Sequence, residues 1–83
     1  MQIYFTKHAR AKLVILKRHG LPVSLDQVKD TVSSPDFIDE SRLPLLIAQK
    51  SIDPAHDLRV VYRQERDIQI VITFYPGRKK QYE

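Results

Sequence analysis

The sequence predicts an α+β domain in which two N-terminal helices pack on one face of an antiparallel sheet of about four strands. Three observations point there. The apolar period is near 3.6 over residues 7–33 and changes to 2 beyond Asp36. Each helical stretch opens on a capping residue. The chain has 83 residues, 42% of them hydrophobic and 29% charged, which suits a single core and one domain over residues 1–83.

The elements follow in order. Ile3 and Phe5 alternate with Gln2 and Tyr4, a short strand. Thr6 offers an N-cap oxygen to a helix over residues 7–19. Ala9, Leu13 and Leu16 mark its buried face, and Val14 and Ile15 widen it. Lys17, Arg18 and His19 complement the helix dipole at its end, and Gly20 and Pro22 stop it. Ser24-Leu25-Asp26-Gln27 is a capping box, with Val23 and Val28 at the hydrophobic-staple positions. The second helix runs from about Leu25 to Val32 or Ser33, buries Leu25, Val28 and Val32, and ends before Pro35.

Phe37-Ile38 and Leu45 to Ile52 read as strands, and residues 53–57 as a loop. Leu58, Val60 and Tyr62 then alternate with Arg59, Val61 and Arg63, and Ile68, Ile70, Ile72 and Phe74 with Gln69, Val71, Thr73 and Tyr75. Pairing Tyr62 with Ile68, Val60 with Ile70 and Leu58 with Ile72 puts these apolar residues on one face and leaves a five-residue loop, Arg63 to Asp67. Tyr4, Tyr62 and Phe74 then belong to the core or its margin. The opposite face carries Arg59, Val61, Gln69, Val71, Thr73 and Tyr75 and has no helix to cover it. It is the expected place for a ligand.

Composition narrows the chemistry. The chain has no cysteine, which excludes disulfides, thiolate catalysis and iron–sulfur ligation and fits a reducing, cytoplasmic setting. No apolar run reaches the roughly 20 residues of a membrane span, and the first residues lack the apolar stretch of a signal peptide. There is no glycine-rich phosphate loop. His8, His19 and His56 lack metal-ligand spacing, so no metal or other cofactor is expected. The net charge is +4, unevenly spread. Residues 1–20 hold five cations and no acid, residues 21–57 three cations and seven acids, and residues 58–83 six cations and three acids. A basic–acidic–basic order suits a polyanion-binding surface, and equally a solvated helix face with a basic tail.

The candidate residues keep two readings each. His8, between Lys7 and Arg10 in a first helical turn, is either a packing histidine or a general acid–base and phosphate contact. A helix start also favours an anion near Thr6 to His8. Arg59, mid-strand on the polar face, needs either an acid across the sheet or an anionic ligand. Tyr75 either packs over the sheet or serves a ligand. Arg78, Lys79, Lys80 and Tyr82 form a basic tail that either frays or clamps phosphates with Tyr82 stacked on a base. Asp36, Asp39 and Glu40 read as a solvated acidic loop, and His19 and His56 as surface residues.

Ile3-Tyr4-Phe5-Thr6-Lys7-His8-Ala9, Gly20-Leu21-Pro22-Val23-Ser24 with Val28, and Ser34-Pro35-Asp36 resemble the pattern of a family of small domains of uncharacterised function. Leu46 to Lys50, Leu58 to Tyr62 and Ile70 to Pro76 extend the resemblance over nearly the whole chain. That family is similar to the RelE/ParE and BrnT-type toxins of bacterial toxin–antitoxin pairs. BrnT-type proteins also end on a strand, basic residues and a Tyr-Glu pair, as Arg78 to Glu83 do here. The resemblance implies a RelE-like toxin-type domain, metal-independent RNA cleavage and neutralisation by a cognate antitoxin protein. In that chemistry Arg59 and Arg78 would hold the phosphate, His8 would move a proton, and Tyr75 or Tyr82 would stack a base or move a proton. Lys7, Arg10, Lys79 and Lys80 would add backbone contacts to RNA. The same residues also suit a non-catalytic RNA- or DNA-binding module, or a protein-interaction domain.

Overall fold

The structure, a computed structural model, describes residues 2–20 and 23–78. It is an α+β fold: β1 (Gln2–Phe5), α1 (Lys7–Arg18), α2 (Leu25–Ser33), β2 (Phe37–Arg42), β3 (Leu45–Ser51), β4 (His56–Glu65) and β5 (Ile68–Arg78). The five strands make one sheet in the order β1-β5-β4-β3-β2. The expected antiparallel sheet of about four strands is thus corrected to a mixed sheet of five. β1 joins its edge parallel to β5, with Gln2 opposite Ile68 and Phe5 opposite Val71. That pairing joins residues at opposite ends of the chain, and local periodicity carries no sign of it.

Both helices start as their sequences dictate. The Thr6 hydroxyl accepts from Ala9 N–H at 3.2 Å, and Ser24 and Gln27 complete the reciprocal capping box at 3.0 and 3.1 Å. Gly20, after α1, has φ +73°, the left-handed conformation a glycine adopts without strain. α2 lies over β3 and β4, and α1 over β5 and β1. Phe5, Ala9, Val28, Val32, Ala48, Leu58, Val60, Tyr62, Val71 and Phe74 form the core between helices and sheet.

β5 departs from the expected register. Val61 faces Thr73 and Tyr62 faces Val71, so Ile72 is an extra residue, a β-bulge. The bulge changes the phase of β5. Ahead of it Gln69 and Val71 face the helices; beyond it Phe74 does. The turn shrinks from the expected five residues to Arg66-Asp67, with Arg66 at φ 55°. The bulge also serves the edge. Thr6 donates its N–H to the Val71 carbonyl at 3.1 Å and its hydroxyl to the Ile72 carbonyl at 3.2 Å. β1 therefore ends beside the bulge, and α1 continues along the remaining edge of β5.

Some apolar residues are more exposed than expected. Val14 and Ile15 on α1 are 54% and 51% exposed, Leu25 on α2 is 40% exposed, and Tyr4, expected in the core or its margin, is 55% exposed on β1. Because α1 packs along a sheet edge, its buried stripe is narrow, and Ala9, Leu13 and Leu16 fill it. His19 is the C-cap of α1 rather than its last helical residue.

Burial raises the pKa of Tyr62 above the ordinary tyrosine value, and the nearby Glu40 carboxylate adds to the shift. The fold therefore favours the neutral phenol. This contribution is fully present below about pH 10, the free tyrosine value, and is lost as the pH rises through the folded value. Urea midpoints of the wild type should fall between about pH 9 and about pH 11. Those of Tyr62→Phe should fall less, and equal declines would remove Tyr62 as the cause.

Candidate functional site

The face of the sheet opposite the helices is open. Two ladder rows cross it. Phe37 pairs with Gln49, Gln49 with Arg59, and Arg59 with Tyr75. Asp39 pairs with Ile47, Ile47 with Val61, and Val61 with Thr73. Together with Arg42 and Leu45 most of these side chains line a shallow groove of about 510 Å³.

Arg59 lies near the middle of this face. Its Nε is buried, and among the described residues it has no hydrogen-bond partner and the arginine forms no ion pair. An acid across the sheet, one of its two expected counterparts, is therefore not seen among the described residues. The nearest carboxylate in the ladder is Asp57, two positions along β4, and it accepts a hydrogen bond from Gln49 Nε2 at 3.0 Å. Gly77 presents no side chain towards Arg59; a Cβ there would lie 3.6 Å from the guanidinium carbon. The guanidinium therefore lies against the Gly77 backbone, and a cation with no acid partner among the described residues can be answered by an anionic ligand in the groove that Arg59 lines.

The α1 edge brings further groups to the same face. His8 and Lys12 stand one helical turn apart, so they share a side of α1. Lys12 Nζ donates to Thr73 Oγ1 at 3.2 Å, and His8 Nε2 lies 3.3 Å from the same hydroxyl. An ammonium can only donate, so the Thr73 proton is free to go to His8 Nε2 when the imidazole is neutral. Lys12 Nζ also sits 5.8 Å from the centre of the Tyr75 ring, within cation–π range. Arg59 and Thr73 are diagonal neighbours across β4 and β5, a separation of roughly 7–8 Å. His8, Lys12, Thr73, Tyr75 and Arg59 thus form one continuous cluster.

The other expected site residues are placed elsewhere. Arg78 pairs with His56 at the far end of β5. Strand alternation turns it to the helix side, away from Arg59. Arg10 borders a separate hollow with Tyr4, Leu25 and Lys29 on the helix side. Lys7 is exposed in the first turn of α1. Lys79, Lys80 and Tyr82 lie outside the described residues. Lys12, Gln49 and Thr73 join the site without having been assigned a role from sequence, and Lys12 could have been found from its i+4 spacing to His8.

Charges of both signs lie on this face. The hydroxyl and backbone N–H of Ser41 hold the Asp39 carboxyl below the ordinary aspartate range, the backbone bond being 2.8 Å, with Arg42 adding to the shift from the same groove, so the β2 end carries both signs of charge. Lys12 and Arg59 make the β5 end positive. His56 is taken up in a pair with Asp53 at 3.0 Å, remote from this cluster in the ladder. Among the described residues no three His, Asp or Glu side chains gather as a metal-binding group, and no helix is long and apolar enough to cross a membrane. Compared with protein-family models, curated proteins and solved structures, the chain finds no match.

Proposed function

We propose that the chain is the toxin of a type II toxin–antitoxin pair, a metal-independent endoribonuclease working on its open sheet face. The observation that carries this reading is Arg59, without an acid partner among the described residues, beside Tyr75 and next to the His8–Thr73–Lys12 contact. RNA brings its own nucleophile, the 2′-hydroxyl. His8 Nε2 takes that proton as the oxygen attacks phosphorus. Arg59 and Lys12 neutralise the charge that gathers on the phosphorane oxygens, work that preorganised cations do well. The P–O5′ bond breaks, and the leaving oxygen takes a proton from Tyr75 or from water. The products are a 2′,3′-cyclic phosphate and a 5′-hydroxyl. Lys12 and Thr73 hold the imidazole in place before substrate arrives. A cognate antitoxin would act by covering this face.

The test is purified protein incubated with total RNA in excess EDTA. Fragments bearing 2′,3′-cyclic phosphate ends are the expected product. RNA that is bound, with salt-sensitive affinity, yet stays intact would leave a nucleic-acid-binding module on the same face and overturn the nuclease.

A further inference from the structure

We infer that the ligand of the open face is a single strand laid across the sheet, with one base against Tyr75 and another against Phe37. This rests on the nucleic-acid reading above and goes beyond it by naming the strandedness and a second base site. Phe37, Gln49, Arg59 and Tyr75 occupy one row through four adjacent strands. Aromatic rings stand at its two ends, with an amide and a guanidinium between them. Phe37 is 59% exposed on the edge strand and borders the groove, so its ring is available to a ligand in it.

The spacing selects the ligand. Three strand-to-strand steps of about 4.8 Å set the two rings about 14 Å apart. Neighbouring bases in a duplex are about 3.4 Å apart along each strand, and pairing keeps their faces covered. A duplex cannot offer bases to both rings. An extended single strand can, with a phosphate near Arg59 and a base at either end of the row. Lys12, over the Tyr75 ring, and Arg59 attract the backbone to the β5 half of the row. Aromatic platforms combined with a cationic track are how sequence-tolerant single-strand binders work.

The test uses a short fluorescein-labelled 2′-O-methyl oligonucleotide, which cannot be cleaved through its 2′ oxygen, as a single strand and as the corresponding duplex. Anisotropy titrations compare wild type, Phe37→Ala and Phe37→Tyr. The single strand should bind more tightly than the duplex. Phe37→Ala should weaken it by on the order of 5- to 150-fold, the usual worth of one stacked base, and Phe37→Tyr should restore it. Equal or tighter duplex binding, or Phe37→Ala binding like wild type, overturns the inference and leaves the nucleic-acid reading standing. A wild type that binds neither probe overturns both. Sedimentation of the same proteins adds a further check. If Phe37→Ala abolishes self-association while single-strand affinity is unchanged, Phe37 is a contact between copies and the base site falls.

Discussion

His8→Ala is expected to slow RNA cleavage by about 10²–10⁴-fold, the usual contribution of one positioned acid–base group. The side chain is exposed, and the one side-chain hydrogen bond it makes among the described residues is to the Thr73 hydroxyl, so the fold should survive its removal. Rates and thermal melts measured on the same preparation separate the two effects. A companion variant sharpens the assignment. Thr73→Val keeps the β-branched shape that β5 requires but removes the hydroxyl that Lys12 and His8 share. It should cost less than His8→Ala, because His8 would remain present but less firmly oriented. Wild-type rates for His8→Ala would remove the imidazole from the chemistry. A Thr73→Val loss equal to that of His8→Ala would make the hydroxyl, not the imidazole, the group that matters.

The second large effect concerns stability. Phe74 is fully buried in β5, just past the bulge, and is the largest fully buried side chain of the core. Phe74→Ala should destabilise the domain by about 3–5 kcal/mol, the sum of lost burial and an unfilled cavity. At about 0.05–0.15 kcal/mol per residue, a chain of this length has only about 4–12 kcal/mol in hand. The variant should therefore be largely unfolded, or close to it, in urea titrations at room temperature. Phe74→Leu keeps most of the volume and should remain folded. A Phe74→Ala midpoint equal to that of the wild type would mean that Phe74 is not the keystone of the core that its burial implies.

Local signals were legible in the sequence. The Ser24–Gln27 capping box, the Thr6 cap and the stop at Gly20 all have their expected geometry. These are decided within a few residues, where side-chain chemistry acts directly. The strand pairing of β1 was not legible, because residues 2–5 and 68–71 meet only in the folded chain. Nor was the bulge at Ile72. A strict alternation places Gln69, Val71, Thr73 and Tyr75 together; one inserted residue sends Gln69 and Val71 to the core and keeps Thr73 and Tyr75 outside. Arg59 and Tyr75 on the open face therefore agree with the alternation, although the register that placed them there differs. Arg78, in phase with Phe74, falls on the opposite face by the same alternation, without help from the bulge. Val14 and Ile15 illustrate the other gap: apolar character marks a residue that could be buried, and only the route of α1 along a sheet edge decides that these are not, while Tyr4 is turned outward on β1 by alternation with Ile3 and Phe5.

The site was partly legible. His8 was marked by its place at a helix start among cations, and Arg59 by a charge inside an alternating apolar strand. Their coupling through Thr73 and Lys12 depends on α1 running past the end of β1, which no single stretch of sequence encodes.

A titration of isotope-labelled protein with an uncleavable single-stranded oligonucleotide, followed by amide and arginine side-chain NMR signals, bears most directly on whether Arg59 and its neighbours receive a phosphate. The Arg59 guanidinium signals, Nε–H among them, should shift as the phosphate arrives, with Gln49, Val61, Thr73 and Tyr75 moving alongside and α2 unaffected. Shifts confined to α2 and the Arg10–Lys29 hollow, with Arg59 Nε–H unmoved at saturation, would contradict the assignment of this face as the binding surface.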